Sequence, residues 1–152
     1  MKKNKKQAKI PEHCPDCGAP VELRSADGIY KSNPNGTMLY VCRNYPKCDN
    51  YVRTHPGTIL PVGTLANARL RKLRNEAHYY FNQLYESGAL SKDEAYNLLT
   101  NIVQAPRSKA HIGNLGEFYC MQVINKSQEI LRNHGIKPRV KPLRHVRIGG
   151  IT

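Results

Sequence analysis

The sequence predicts an α+β chain: a small β module first, a three-helix unit after it, and basic flexible tails at both ends. Three observations carry this. Four cysteines fall in two close pairs between residues 14 and 48. Short β-prone runs, separated by Pro, Gly and Asn turns, fill residues 12–56. From residue 63 onward apolar residues recur at three- and four-residue steps.

Taken in order, residues 1–11 read as a basic disordered arm ending at Pro11, and 12–61 as the β module. Within the module, Pro20-Val21-Glu22-Leu23-Arg24 is a candidate strand and Ile29-Tyr30-Lys31 a second. Asn33-Pro34-Asn35-Gly36 is a turn signal, residues 37–42 a third strand, and Tyr51-Val52-Arg53 a short last one. Pro56-Gly57 and Pro61 then break the chain, and a helical domain follows over 62–135. Its first helix is expected over 63–87, with Ala66, Leu70, Leu73, Ala77, Phe81 and Leu84 as the inward stripe. Ser87-Gly88 ends it. Ser91 with Glu94 forms a capping box for a second helix from Lys92 to Gln104, facing inward through Ala95, Leu98, Leu99 and Ile102. Pro106 stops it. A third helix is expected from Asn114 to Asn133, with Gly135 as its C-terminal stop. Residues 136–152 form a basic C-terminal tail, where Val140, Leu143, Val146 and Ile148 alternate with charges and suggest a docked segment or strand.

The cysteine spacing is C-x2-C, a gap of 24 residues, then C-x5-C. Close spacing lets two thiolates of one turn grip the same ion. Cys14, Cys17, Cys42 and Cys48 thus supply the four soft ligands of a closed tetrahedral zinc site, and the module reads as a zinc ribbon holding one structural Zn2+. Gly18 suits the left-handed turn that aims N–H groups at a thiolate. The rival reading, a redox C-x2-C, explains neither the second pair nor the missing βαβ pattern. His13 and His55 flank the cysteines, but four thiolates already complete the set. The fifth cysteine, Cys120, keeps step with Val123, Ile124 and Ser127 and reads as a core residue.

Net charge is +13, and the ends carry most of it. Lys2, Lys3, Lys5, Lys6 and Lys9 lie in the first nine residues; Lys137, Arg139, Lys141, Arg144 and Arg147 follow residue 135. Tails of this kind grip phosphates without reading sequence; the alternative is a solubilising end. No apolar run approaches the ~20 residues of a membrane span. No apolar stretch follows the basic N-terminus, which argues against a secretory signal. The expected location is the cytoplasm, where thiols stay reduced and paired cysteines favour metal over disulfide.

Cys14-Pro15-Asp16-Cys17-Gly18 and Tyr40-Val41-Cys42-Arg43-Asn44-Tyr45-Pro46-Lys47-Cys48 resemble the C-terminal zinc ribbons of type IA DNA topoisomerases. Those ribbons share the C-P-x-C-G opening and the C-x-x-Y-P-x-C close. The resemblance covers residues 14–53 and implies contact with single-stranded DNA. The gap between the pairs is longer here than is typical, which places an extra hairpin at 25–36. The chain also resembles a phage- and prophage-associated family described as zinc-finger-containing. The stretches that carry this are Arg24-Ser25-Ala26-Asp27-Gly28-Ile29-Tyr30, His55-Pro56-Gly57-Thr58, Pro61-Val62-Gly63-Thr64-Leu65-Ala66-Asn67, Glu76-Ala77-His78 and Ala110-His111-Ile112-Gly113. That resemblance implies a phage context, hence a host cytoplasm, and no assigned activity.

Single-strand binders pair positive charge with aromatic faces for the bases. Tyr45 and Lys47 lie inside the second cysteine turn and are the first candidates. Arg43, Arg53 and Lys31 lie beside the ribbon's tyrosines, and Arg71 and Lys72 are expected to be exposed on the first helix. Tyr40 and Tyr51 read as the ribbon's small core, and Tyr45 is divided between contact and packing. Residues 12–61 hold five basic and five acidic side chains, which favours a rival reading: a protein-interaction module that binds and redirects a host polymerase or defence factor. An enzyme is not expected. Walker A, H-E-x-x-H and G-x-S-x-G motifs are absent. The best catalytic alternative is Glu76, His78 and His111 converging as a metal-dependent nuclease site. The expected function is nucleic-acid binding, to single-stranded DNA for preference, accessory to phage replication, recombination or transcription.

Overall fold

A computed structural model describes residues 9–140. The expectations for the first eight residues of the arm and for the tail beyond Val140 lie outside the described residues. The N-terminal β module followed by three helices is the observed α+β architecture. Backbone proximity divides the chain into two units. One holds the residues up to Lys72 with Gly113–Gly116; the other holds Leu73–Ile112 and the residues from Glu117 on.

The first unit is built on a three-stranded antiparallel sheet in the order β1-β2-β3, from β1 (Val21–Ser25), β2 (Met38–Cys42) and β3 (Tyr51–Arg53). The central strand is covered on both faces, so it reads Met-Leu-Tyr-Val-Cys rather than alternating apolar and polar. Leu39 and Val41 pack with Ala26 on one side. Tyr40 packs with Val52 and Leu65 on the other. The expected strand at 29–31 does not form. Gly28, at φ 84°, reverses the chain, and the Ala26 carbonyl accepts from the N–H groups of Ile29 and Tyr30 at 3.0 and 2.8 Å. Asn33 closes this loop: its Nδ2 donates to Asp27 Oδ1 at 3.1 Å, and its Oδ1 accepts from Thr37 N–H at 2.7 Å.

The first helix is shorter than the periodicity suggests. α1 spans Ala68–Glu86, because the chain bridges to the β3 segment at Pro61 and again at Ala66, with a bend at residues 62–63, before the helix begins. Val62 N–H donates to the Arg53 carbonyl at 3.0 Å, and Tyr51 and Ala66 exchange both backbone bonds at 3.2 Å. Ala66 therefore belongs to the ribbon and not to the helical stripe. Backbone proximity places the division between the two units after Lys72. Gly63 meets Gly113 backbone to backbone: a Cβ on Gly63 would overlap the Gly113 carbonyl.

In the second unit, α2 (Lys92–Val103) starts at the predicted capping box, with both reciprocal bonds formed. α3 spans Glu117–Asn133 and packs with α2. It begins three residues later than expected, since residues 112–114 make a separate 3-10 turn. Ala77, Phe81, Leu84, Ala95, Leu99, Cys120, Val123 and Leu131 are buried there. The described start of the C-terminal tail lies against α1. The buried side-chain amide of Gln83 donates to the Arg139 carbonyl at 3.1 Å and accepts from its N–H at 2.9 Å.

Candidate metal centre

Two tight turns build the centre. In the first, Gly18 N–H donates to the Cys14 carbonyl at 2.9 Å, with Gly18 at φ 76°. A side chain there would force the left-handed region that L-residues avoid. In the second, Tyr45 N–H donates to the Cys42 carbonyl at 2.9 Å and Cys48 N–H to the Asn44 carbonyl at 3.1 Å. The Tyr45–Pro46 peptide in this turn is cis.

The turns bring the sulfurs of Cys14, Cys17, Cys42 and Cys48 within 4.8 Å of one another. Cys14 and Cys48 Sγ are 3.6 Å apart and Cys17 and Cys42 Sγ 3.4 Å. A tetrahedron with Zn–S bonds of ~2.3 Å has sulfurs ~3.8 Å apart, close to this geometry. Backbone N–H groups point at three of the sulfurs: Ala19 at Cys17, Cys17 and Asp16 at Cys14, and Asn44 at Cys42. Side-chain amides add Asn44 to Cys17 at 3.5 Å and Asn50 to Cys48 at 3.3 Å. The dipoles do not suffice alone. The Ala19 N–H lowers the Cys17 thiol to about 7, but burial pushes Cys42 up to about 12 and raises Cys14. A bound dication stabilises all four thiolates together, so the donor set fits one structural zinc. His13 and His55 are exposed and stand outside this group.

Beside the metal centre lies an aromatic face. Tyr30, Tyr45 and Tyr51 all pack on the Ala26–Leu39–Val41 cluster and remain partly exposed. Tyr51 sits between the other two, edge-to-face at 6.3 Å from Tyr30 and 6.4 Å from Tyr45. Strand register places Arg24, Leu39 and Arg53 directly opposite one another, so both arginines flank Leu39 on this same sheet face. Lys31 and Lys47 are exposed next in sequence to Tyr30 and close to Tyr45. Arg43 is exposed and pairs with Glu22 at 3.7 Å. Tyr40 lies on the opposite face, 4% exposed, with its hydroxyl donating to the Ile59 carbonyl at 2.6 Å.

The helical basic patch is only partly available. Lys72 is exposed. Arg71, expected to be exposed, is half-buried and structural. Its guanidinium donates to the carbonyls of Asp49 and Ala66 at 2.7 and 2.6 Å and pairs with the Asp49 carboxylate at 3.5 Å. The helical wheel identified its direction off the stripe but not the ribbon residues waiting there. Arg74 is buried, and burial lowers its pKa. Of the catalytic alternative, Glu76 is half-buried while His78 and His111 are exposed. Among the described residues, the four cysteines form the group placed to hold a metal.

Sequence reasoning missed the polar residues around the metal turns. Asp16 accepts from Asn50 and Asn67 side-chain amides at 2.8 and 3.3 Å. Asn67 caps α1, its Oδ1 accepting from Leu70 N–H at 2.9 Å. An Asn before a basic helical run is a recognisable start signal, but the apolar stripe counted from Ala66 drew the expected start upstream.

No helix among the described residues is long and apolar enough to cross a membrane. No curated protein and no solved structure matches the chain. A family model described as a zinc-finger-containing domain matches residues 10–130, which takes in both metal turns, the aromatic face, α1, α2 and most of α3. With that span and a four-cysteine centre of zinc geometry, the chain belongs to the zinc-finger-containing domain family.

Proposed function

We propose that this chain binds single-stranded nucleic acid, DNA for preference, through the aromatic face of its ribbon. The observation that carries the proposal is the shared placement of Tyr30, Tyr45 and Tyr51 with Arg24 and Arg53 on one sheet face. Bases stack on aromatic rings while cations track the phosphates, and such binding tolerates sequence because every base has a π-face. Zinc holds the turn that presents Tyr45 and Lys47. The basic tails add a grip that carries no sequence information. The resemblance to topoisomerase ribbons supports DNA, and the phage-associated resemblance supports an accessory role in phage replication, recombination or transcription in a host cytoplasm. The reading is of binding, not of catalysis.

The test is fluorescence anisotropy of the zinc-loaded full chain with a labelled single strand over a salt series. Affinity should fall log-linearly with salt, at about 0.7 per phosphate neutralised. Tyr45→Leu keeps an apolar side chain against the Ala26–Leu39–Val41 cluster but removes the ring. It should weaken binding by about 1–3 kcal/mol at every salt concentration. Unchanged affinity would remove the ribbon from the site.

A second reading has its own observation. Charges in residues 12–61 balance, and Phe118 and Met121 stand 68% and 42% exposed on α3. These favour a protein-docking module. It would show weak salt dependence and no response to Tyr45→Leu.

A further inference from the structure

The residues that surround the metal turns also build the start of helix α1. Asp49, next to Cys48, accepts the Ala68 N–H at 3.1 Å through its carboxylate. Its carbonyl takes the Arg71 guanidinium at 2.7 Å. Asp16, between Cys14 and Cys17, holds Asn67 at 3.3 Å and Asn50 at 2.8 Å. Asn50 in turn donates to the Cys48 sulfur at 3.3 Å. Thus each metal turn contributes a carboxylate to the helix start. One receives a free backbone N–H of the first turn, and the other receives the capping side chain. The first N–H groups of a helix have no partner within it, so what satisfies them decides whether the turn forms. The first turn of α1 has no acidic residue of its own, and Arg69, Arg71 and Lys72 place positive charge where the helix dipole is already positive. The charges of this first turn therefore oppose the helix that Asn67 caps, and the metal turns supply the compensating carboxylates.

We infer that zinc occupancy controls the first turn of α1: with zinc bound the turn forms and the Arg71 guanidinium lies 3.8 Å over the Tyr51 ring, and without zinc both are lost. This rests on the zinc site and is independent of nucleic-acid binding. The coupling is reciprocal by thermodynamic necessity, so damage to the helix start must weaken zinc.

The sharpest variant is Arg71→Gln in the full chain. Removing a positive charge near a dication should tighten zinc by simple electrostatics. The coupling predicts the opposite: zinc weaker by about five-fold or more in competition with a chromogenic chelator. The second measurement is the Cα secondary chemical shifts of residues 68–72, recorded with zinc and after EDTA. Helical shifts should collapse over 68–72 on chelation, while those around Leu99 in α2 persist. Equal or tighter zinc binding in Arg71→Gln would overturn the inference, as would helical shifts over 68–72 that survive chelation. A chain that takes up no zinc would overturn it together with the metal site, which separates that failure from a zinc-loaded chain whose helix start does not respond.

Discussion

The guanidinium of Arg71 lies 3.8 Å from the centroid of the Tyr51 ring. This contact ties the start of α1 to the aromatic face of the ribbon. Burial raises the Tyr51 pKa and the arginine charge partly offsets it, as expected of a ring packed under a cation. The stacked guanidinium covers part of Tyr51, so Tyr30 and Tyr45 are the more open rings for the proposed stacking on a base.

Arg71 and Lys72 are adjacent in sequence and should behave differently. Arg71→Ala removes the guanidinium donor from the Asp49 carbonyl, leaves the Ala66 carbonyl with only the Tyr51 N–H, and removes the cation over Tyr51. The expected cost is about 1–3 kcal/mol of ribbon stability, read by urea denaturation of the zinc-loaded chain. Lys72→Ala, at an exposed position, should change stability by less than about 0.5 kcal/mol. Equal effects would mean that the Asp49–Arg71–Tyr51 contacts contribute nothing.

The α2 cap should depend on pH. Ser91 N–H donates to Glu94 Oε1 at 3.0 Å, and this lowers the Glu94 pKa. A depressed carboxylate stabilises the fold fully above its unfolded pKa, and the contribution is lost as pH falls through the folded pKa. Exchange of the Ser91 amide should therefore quicken, beyond its intrinsic rate, as pH drops below the usual glutamate range. Glu94→Gln retains an acceptor that does not titrate and should abolish this response. Ser91→Ala should cost about 1 kcal/mol at neutral pH.

Gln83 should govern the tail's point of departure. Gln83 is 3% exposed, and its amide matches the Arg139 peptide with one donor and one acceptor. The Arg139–Glu86 pair at 3.5 Å is exposed and adds little. Gln83→Leu should speed tryptic cleavage after Arg139 several-fold, followed by mass spectrometry, with the helical circular dichroism unchanged. An unaltered rate would show that the clamp does not hold the segment.

Much of this molecule was legible in the sequence because its signals are local. Cysteine spacing identifies all four residues of the metal centre. Ser91 with Glu94 fixes the start of α2 to the residue, and the apolar runs place β2 and β3. What was not legible depends on partners distant in sequence. Residues 62–66 carry helical spacing, yet they pair with β3, because Tyr51 and Val52 offer a strand edge and an apolar face. Arg71 looks free on a helical wheel until Asp49, 22 residues away, takes its guanidinium. Ile29-Tyr30-Lys31 has strand propensity, but Gly28 and the Asn33 loop closure turn it back over Leu39. That last departure is what puts Tyr30 beside Tyr51 on the face proposed to bind nucleic acid.

The most direct measurement is photo-cross-linking of the zinc-loaded full chain to a single-stranded oligonucleotide carrying 5-iododeoxyuridine, followed by peptide mass spectrometry. This halogenated base reacts with an aromatic ring stacked on it. Cross-links at Tyr45 or Tyr30 are the predicted result, lost when the chain is stripped of zinc. Cross-links confined to the tails, or unchanged by zinc removal, would contradict a binding face on the ribbon.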